Sequence, residues 1–366
     1  MNMYDYTKQL SGKYDVTTVR VMFELLRAAI CSEIPQIEDD INIDWDQLRR
    51  ISAEQGLLSW VWDGICLLPQ ERQPPRFQKI SWSLSAQEVY ERYKRQQNVL
   101  KELVEVCRLN NMRLMLLKGI GLSKLYPKPQ SRPSGDIDIY LFDDFEKGNK
   151  MFKVVAETAL HTAFDYKGVH IENHKTFIGI DDTTNKLVGP YLLNKTSQVV
   201  EAPEGYYTFA SMDNLVYLIM HALKHVNFGI NASFLNIRNL TDIAVLIKRY
   251  RSEWDPNVLL RIMKELHMDK SFELVLFFSE WLLKVDFSEY HSGSIKSKDV
   301  PIIKKIFMTN CLTIQNIEFH SIFHQFYYAL SRYFYFHKIY KYMPHIKKSF
   351  FLSVMYQFIK QQRKKV

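Results

Sequence analysis

The tightest constraint in this chain is a run of seven residues, Gly135-Asp136-Ile137-Asp138-Ile139-Tyr140-Leu141. Its β-branched and aromatic side chains favour a strand, and in a strand residues two apart share a face. Asp136 and Asp138 then stand side by side, where like charges repel unless a cation lies between them. A divalent metal, Mg²⁺ or Mn²⁺, is the usual solution, because it takes carboxylates together with substrate phosphates. The alternative is a solvated strand face or turn, where Asp-x-Asp is also common. The pair alone does not choose; its surroundings bear on the choice.

Around this run the chain is organised as helices, then a small mixed core, then helices. Val16 to Ile34 has apolar residues at near-helical spacing, and Asp44 can cap a second helix through Leu48, Ile51 and Leu57-Leu58. After a polar, proline-bearing break from Gln70 to Pro75, a long amphipathic helix is expected from Ser83 to Asn110-Asn111. Arg113 to Leu117 reads as a buried strand, Gly119 to Tyr126 as a short helix, and Pro127 to Gly135 as a loop. Ile137 to Phe142 is the next strand, and Asp144 caps a helix through Phe145, Phe152 and Val155. Short β-like pieces fill Tyr166 to Val200, among them Val169 to Glu172 and Thr176 to Ile180. Helices follow at Ser211–His225, Leu235–Tyr250, Pro256–Leu266 and Ser271–Lys284, and continue to the C-terminus.

In order, the core offers a strand, Leu117-Lys118-Gly119, a helix ending at Leu125-Tyr126-Pro127, then Arg132, Asp136-Ile137-Asp138 and Glu172-Asn173-His174. Further on come His221-Ala222-Leu223-Lys224-His225 and Arg238 with Asp242-Ile243-Ala244. This pattern resembles the polymerase-β-like nucleotidyltransferase superfamily, and more closely a bacterial family of uncharacterised nucleotidyltransferase proteins, over residues 85 to 260. The resemblance implies an α+β fold with a small mixed-sheet nucleotidyltransferase core at 101–205, and the helical pattern around it gives a helical region at 1–100 and a helical domain with a basic tail at 206–366. It also implies transfer of a nucleoside monophosphate from an NTP to an acceptor hydroxyl or phosphate, with release of pyrophosphate.

The residue types suit that chemistry. Displacement at phosphorus is helped by metals that neutralise the attacking and leaving oxygens. Asp136 and Asp138 would hold them, with Glu172 as the third carboxylate by order, and Asp165 or Asp181 as substitutes. Gly119, at a turn before a helix, lets backbone N–H groups approach a triphosphate. Lys118 adds a point charge and Arg132 a bidentate grip. Each has a plainer reading: Lys118-Gly119 as a strand-ending turn, Arg132 as a surface loop residue, Glu172 as a solvated carboxylate. His174 either orients Glu172, faces the pocket, or is a hydrogen-bonded structural residue. One departure stands out: where the superfamily has a second Gly or Ser, this chain has Ile120, followed by Gly121.

His221 and His225, four apart on one helical face, have metal-compatible spacing, but the helix lacks the Glu of zinc proteases. A pocket-facing or packing role fits better. Asp242 is expected to pair with Arg238. Rivals to nucleotidyl transfer are a kinase-like or phosphohydrolase use of the same carboxylates, and a non-catalytic protein that binds nucleotide, RNA or a protein partner. The acceptor class is open among small molecules, RNA and protein.

Composition limits the remaining classes. Of 366 residues, 47% are hydrophobic, which is ample for packed cores and excludes global disorder. The net charge of +8 is local: from Ser331 to Val366 there are nine Lys or Arg and no acid. That tail either contacts an acidic surface such as a membrane or nucleic acid, or packs Phe350, Phe351 and Phe358 inward beneath a solvated basic face. Cys31, Cys66, Cys107 and Cys311 are scattered, as in a reduced compartment. With no signal-peptide order and the longest apolar stretch, Phe272 to Leu283, broken by Glu273, Ser279 and Glu280, the expectation is a cytoplasmic protein without a membrane span.

Overall fold

Aspartates begin several of the helices, and short strands between them build one sheet. The computed structural model describes residues 15–177, 185–224, 236–301 and 303. Among these, eleven α-helices accompany a seven-stranded mixed sheet. Its strands are β1 (Met115–Leu116), β2 (Ile137–Tyr140), β3 (Val154–Glu157), β4 (His161–Tyr166), β5 (Val169–His174), β6 (Val200–Glu201) and β7 (Tyr207–Thr208). They lie in the order β3-β4-β5-β2-β1-β7-β6, with β2 parallel to β5, β1 parallel to β7, and the other pairs antiparallel.

Alternation along β2 and β5 gives the sheet two characters. Ile137, Ile139 and Ile171 point to one side, where they pack with Phe164 and with Val99, Leu100 and Leu103 of helix α4 (Arg76–Leu109). Asp138, Glu172 and His174 point to the other. The parallel register places Asp138 opposite Glu172, between the pairs Ile137–Ile171 and Ile139–Asn173. Because side chains repeat every two residues, the packing of the isoleucines on one side dictates where the acids emerge on the other.

Helices α1 (Val16–Cys31), α2 (Trp45–Glu54) and α3 (Leu58–Ile65) form the N-terminal layer. Asp15 caps α1 by accepting from the Thr18 N–H, and Asp44 caps α2 through the Gln47 N–H, as its position suggested. The expected single helix from Asp44 through Leu58 is two, because the chain turns at Gly56 with φ +66°. Helix α4 begins at Arg76 rather than Ser83: the double proline ends at Pro75, and the polar turn that follows continues the helix without apolar periodicity. Helices α5 (Ile120–Ser123) and α6 (Phe145–Met151) lie between the strands.

Two expectations are corrected. The helix from Asp144 stops at Met151, and Val154–Glu157 is the edge strand β3. There the β-branched pair Val154-Val155 follows Phe152, whose ring stacks on Phe164 at 4.4 Å. Residues 185–195, placed among β-like pieces, form helix α7 (Asn185–Lys195) in spite of Pro190. Val188 and Leu192, one turn apart, are fully buried, and Tyr191 donates to Asp213 at 2.5 Å, so tertiary packing outweighs local propensity. Thr176 and Phe177 are not in a strand.

The C-terminal helices follow their expected order: α8 (Ser211–Lys224), α9 (Ile237–Tyr250), α10 (Pro256–Glu265) and α11 (Asp269–Leu283). One large apolar cluster joins them to α1–α3 and to the acid-bearing side of the sheet, through Leu25, Leu26, Trp60, Tyr140, Phe177, Tyr217 and Phe272. No helix among the described residues is long and apolar enough to cross a membrane. The expectations for Ile178 to Ile180, Asp181, His225, Cys311 and the basic tail lie outside the described residues.

Candidate active site

The turn after β1 brings the first cation to the acids. The Leu117 N–H donates to the Asp138 carbonyl at 3.1 Å, continuing the β1–β2 pairing, and Lys118 then reaches back across the sheet. Its Nζ lies 2.5 Å from Asp138 Oδ2. Gly119 follows with φ +63°, a conformation that side chains disfavour, and a Cβ there would sit 3.1 Å from Ser134 Oγ. The glycine thus lets the turn lie against the loop that carries Asp136. Ile120 is 2% exposed and packs into the core on the isoleucine side of the sheet, so its bulk does not narrow the cleft.

Asp138 is fully buried, and both its oxygens are engaged: Oδ2 by Lys118 and Oδ1 by His174 Nε2 at 2.9 Å. Burial pushes its carboxyl up, but the Lys118 ammonium and the His174 hydrogen bond outweigh that and hold it well below the usual carboxylate range. The same His174 nitrogen lies 3.5 Å from Glu172 Oε2, and this contact lowers the Glu172 carboxyl. For His174 burial acts downward, yet its two carboxylate partners raise it above the ordinary imidazole value. His174 Nδ1 is buried without a hydrogen-bond partner among the described residues.

Asp136, Asp138 and Glu172 offer ligand oxygens that all lie within 4.8 Å of one another. The fit to a hard divalent cation is good. Each oxygen of Asp138 keeps a lone pair beyond its present donor, and the half-buried Asp136 carboxylate has no hydrogen bond or ion pair among the described residues. Glu172 also belongs to a second group with His161 and His174, on the same criterion. Sequence reasoning missed His161. Its signal was the antiparallel β4–β5 register, which sets His161 opposite His174, and that register is invisible without the hairpin turn at Lys167-Gly168. Asp165, the described substitute for Glu172, instead pairs with His170 at 3.0 Å.

Of the three acids, Asp136 opens onto a cleft between the turn at 118–119 and the loop at 132–136 on one side and helices α8 and α9 on the other. Lys118, Gly119 and Asp136 line one wall, and His221, Arg238 and Asp242 the other. Here the expected pairing is corrected. Asp242 is bound not by Arg238 but by Arg132, whose Nε and NH2 donate to its two oxygens at 2.8 and 2.6 Å. Tyr126 OH donates to the same carboxylate at 2.5 Å and stacks on Trp60 at 5.0 Å. Arg132 and Asp242 are both almost fully buried, so the fork read from sequence as a phosphate grip is closed on a carboxylate 110 residues away. Burial pushes the Tyr126 hydroxyl far up, and Asp242 pushes the same way, so it stays a donor. On the core side, Gln96 Nε2 donates to the Gly135 carbonyl at 3.2 Å, holding the loop just before Asp136.

A family model described as uncharacterised nucleotidyltransferase matches residues 42–284, which run from before α2 to the end of α11 and contain the sheet, the acid cluster and both walls of the cleft. No curated protein and no solved structure matches the chain. On a match that spans well over half of its length, the chain belongs to this family of uncharacterised nucleotidyltransferases.

Proposed function

We propose that the protein transfers a nucleoside monophosphate from an NTP to an acceptor and releases pyrophosphate. The observation that carries this reading is a cluster of three carboxylates within 4.8 Å, Asp138 set beside Glu172 by the register of β2 on β5 and Asp136 on the cleft, next to a positive-φ glycine turn. Asp136, Asp138 and Glu172 would hold Mg²⁺ or Mn²⁺. Such an ion supplies Lewis-acid stabilisation of the charge that builds on the attacking and leaving oxygens. Lys118 and His174 hold Asp138 ionised and fixed in one orientation before any ligand arrives. Gly119 keeps the wall beside Asp136 free of side-chain atoms. In the transfer itself an acceptor oxygen bonds to the α-phosphorus, the bond from that phosphorus to the bridging oxygen of pyrophosphate breaks, and the acceptor's proton passes to one of the carboxylates or to a water they hold.

Asp136→Asn and Asp138→Asn should each reduce Mg²⁺-dependent transfer by at least about a hundredfold, on the scale of losing one charge-stabilising group. Labelled NTPs offered to cell extract, with mass analysis of the products, read this directly. Addition of a nucleotide supports the proposal; addition or loss of phosphate alone assigns the carboxylates to kinase or phosphohydrolase chemistry. One observation favours a non-catalytic binder: both oxygens of Asp138 are already engaged inside the protein, by Lys118 and His174. Calorimetry separates the two, since a binder would take NTP with no metal dependence.

A further inference from the structure

Three permanent cations line the cleft, and two of them are spent. Lys118 is bound to Asp138, and Arg132 is bound to Asp242 through both arms of its fork. Asp242 has no capacity left for a second guanidinium, because Tyr126 also donates to it. Arg238, in the first turn of α9, is the cation of the three with no carboxylate ion pair among the described residues. Its side chain is partly withdrawn from water, and among the described residues no side-chain hydrogen bond offsets that loss. Burial lowers its basicity, the neighbouring Arg132 adds to this, and Asp242 and Asp136 act on it only through space. A guanidinium partly withdrawn from water and without an ion pair among the described residues is the one of the three left free to meet an anion in the cleft.

We infer that Arg238 is a substrate-phosphate-binding residue, its planar fork completing the cleft wall opposite Lys118 and Gly119. Five N–H donors in one plane match the oxygens of a phosphate, and a partly dehydrated guanidinium binds such an anion more strongly than one in bulk water. The phosphate belongs either to the polyphosphate of the donor or to a phosphorylated acceptor. This deepens the nucleotidyltransferase reading of the same cleft, and rests on it only for the name of the donor.

The test uses the full chain in EDTA, so that no metal contributes. Tripolyphosphate, ATP and adenosine are titrated calorimetrically into the wild type, Arg238→Met and Arg238→Lys, and inorganic phosphate is titrated in the presence of ATP. If the donor is gripped, Arg238→Met weakens tripolyphosphate and ATP by about tenfold or more and leaves adenosine unchanged, with Arg238→Lys in between. If an acceptor phosphate is gripped, ATP affinity is unchanged and inorganic phosphate binding is lost. Either result supports the inference. Without ligand, the Tm of Arg238→Met should equal or exceed that of the wild type, because an uncompensated charge has been removed. The inference is overturned if the wild type binds no phosphate species, or if phosphate affinities are unchanged in Arg238→Met; a Tm that falls as well would mark a packing residue. Loss of transfer in Asp138→Asn is a separate readout: a phosphate binder without transfer activity would sink the enzymatic reading and leave Arg238 in place.

Discussion

The pair Arg132–Asp242 shows how a correct residue can carry a wrong role. Its place just before the acids made Arg132 look like a ligand-binding fork, and Arg238, four residues before Asp242, looked like the natural helical partner. The structure exchanges the two, because Arg132 reaches Asp242 from the loop with two parallel hydrogen bonds and Arg238 turns into the cleft. Removing one member of so buried a pair leaves the other charge stranded. Asp242→Asn or Arg132→Met should each cost about 3–5 kcal/mol, whereas the double variant Arg132→Met with Asp242→Leu should recover most of that loss. Urea unfolding of the four proteins measures the coupling, and simple addition of the two single losses would show that the pair does not act as a unit. By contrast the Asp138–Glu172 juxtaposition was legible, since period-two alternation puts the acids on one face and strand order suggests the neighbour. His161 was not, because its partner is set by a hairpin register.

Elements were legible where they bury a periodic stripe and illegible where packing overrides propensity. Helices α8 to α11 announced themselves through apolar spacing, and Asp44 through its capping position. Helix α7 and strand β3 did not: one contains a proline, and the other is an exposed edge whose residues could continue the preceding helix. Helix α11 carries a further polar device. Glu273, 3% exposed, accepts from the Ser294 and Ile295 N–H groups at 2.7 and 3.0 Å and from the Ser292 hydroxyl, fastening the segment after α11 to its first turns. Burial raises its carboxyl, but these donors and His291 prevail and hold it below its ordinary value. The sign then follows: its contribution is present above the unfolded-state value of about 4.3 and is lost as the pH falls through the depressed folded value. Glu273→Gln should lower stability at neutral pH by about 1–3 kcal/mol and flatten the acid limb of a Tm-against-pH curve; an unchanged limb would remove Glu273 from the account.

At the scale of the molecule, the two ends of the described chain share a core. Helix α1 lies outside the segment that the family model matches, yet Val19, Met22, Leu25 and Leu26 are fully buried in it. They join the cluster that includes α11, and Lys284 bonds Glu24 at 2.5 Å. Without α1 the matched segment would leave the core face covered by these residues open to water. A chain beginning at residue 42 should lose its sharp thermal transition and bind a hydrophobic dye, and the milder Leu25→Ala should cost about 2–5 kcal/mol in the full chain. A cooperative melt in the truncated chain would contradict this. Separate helical regions at either end of a core describe an expected order along the chain; which helices touch depends on contacts across more than two hundred residues, and composition carries no trace of those.

Strand β2 has only four residues, all buried, and both of its faces are occupied: Ile137 and Ile139 in the core, Asp138 and Tyr140 on the side of the acids. A strand so short has no slack in which to absorb a change of length. One residue inserted between 137 and 138 would exchange the faces of everything after it, sending the second carboxylate into the isoleucine layer and an isoleucine toward the substrate. The strand tolerates substitution far better than insertion, and the end of the loop that feeds it is pinned as well, by Arg132 on Asp242 and by Gln96 on the Gly135 carbonyl. Descendants of this chain should hardly vary in the distance between the acids.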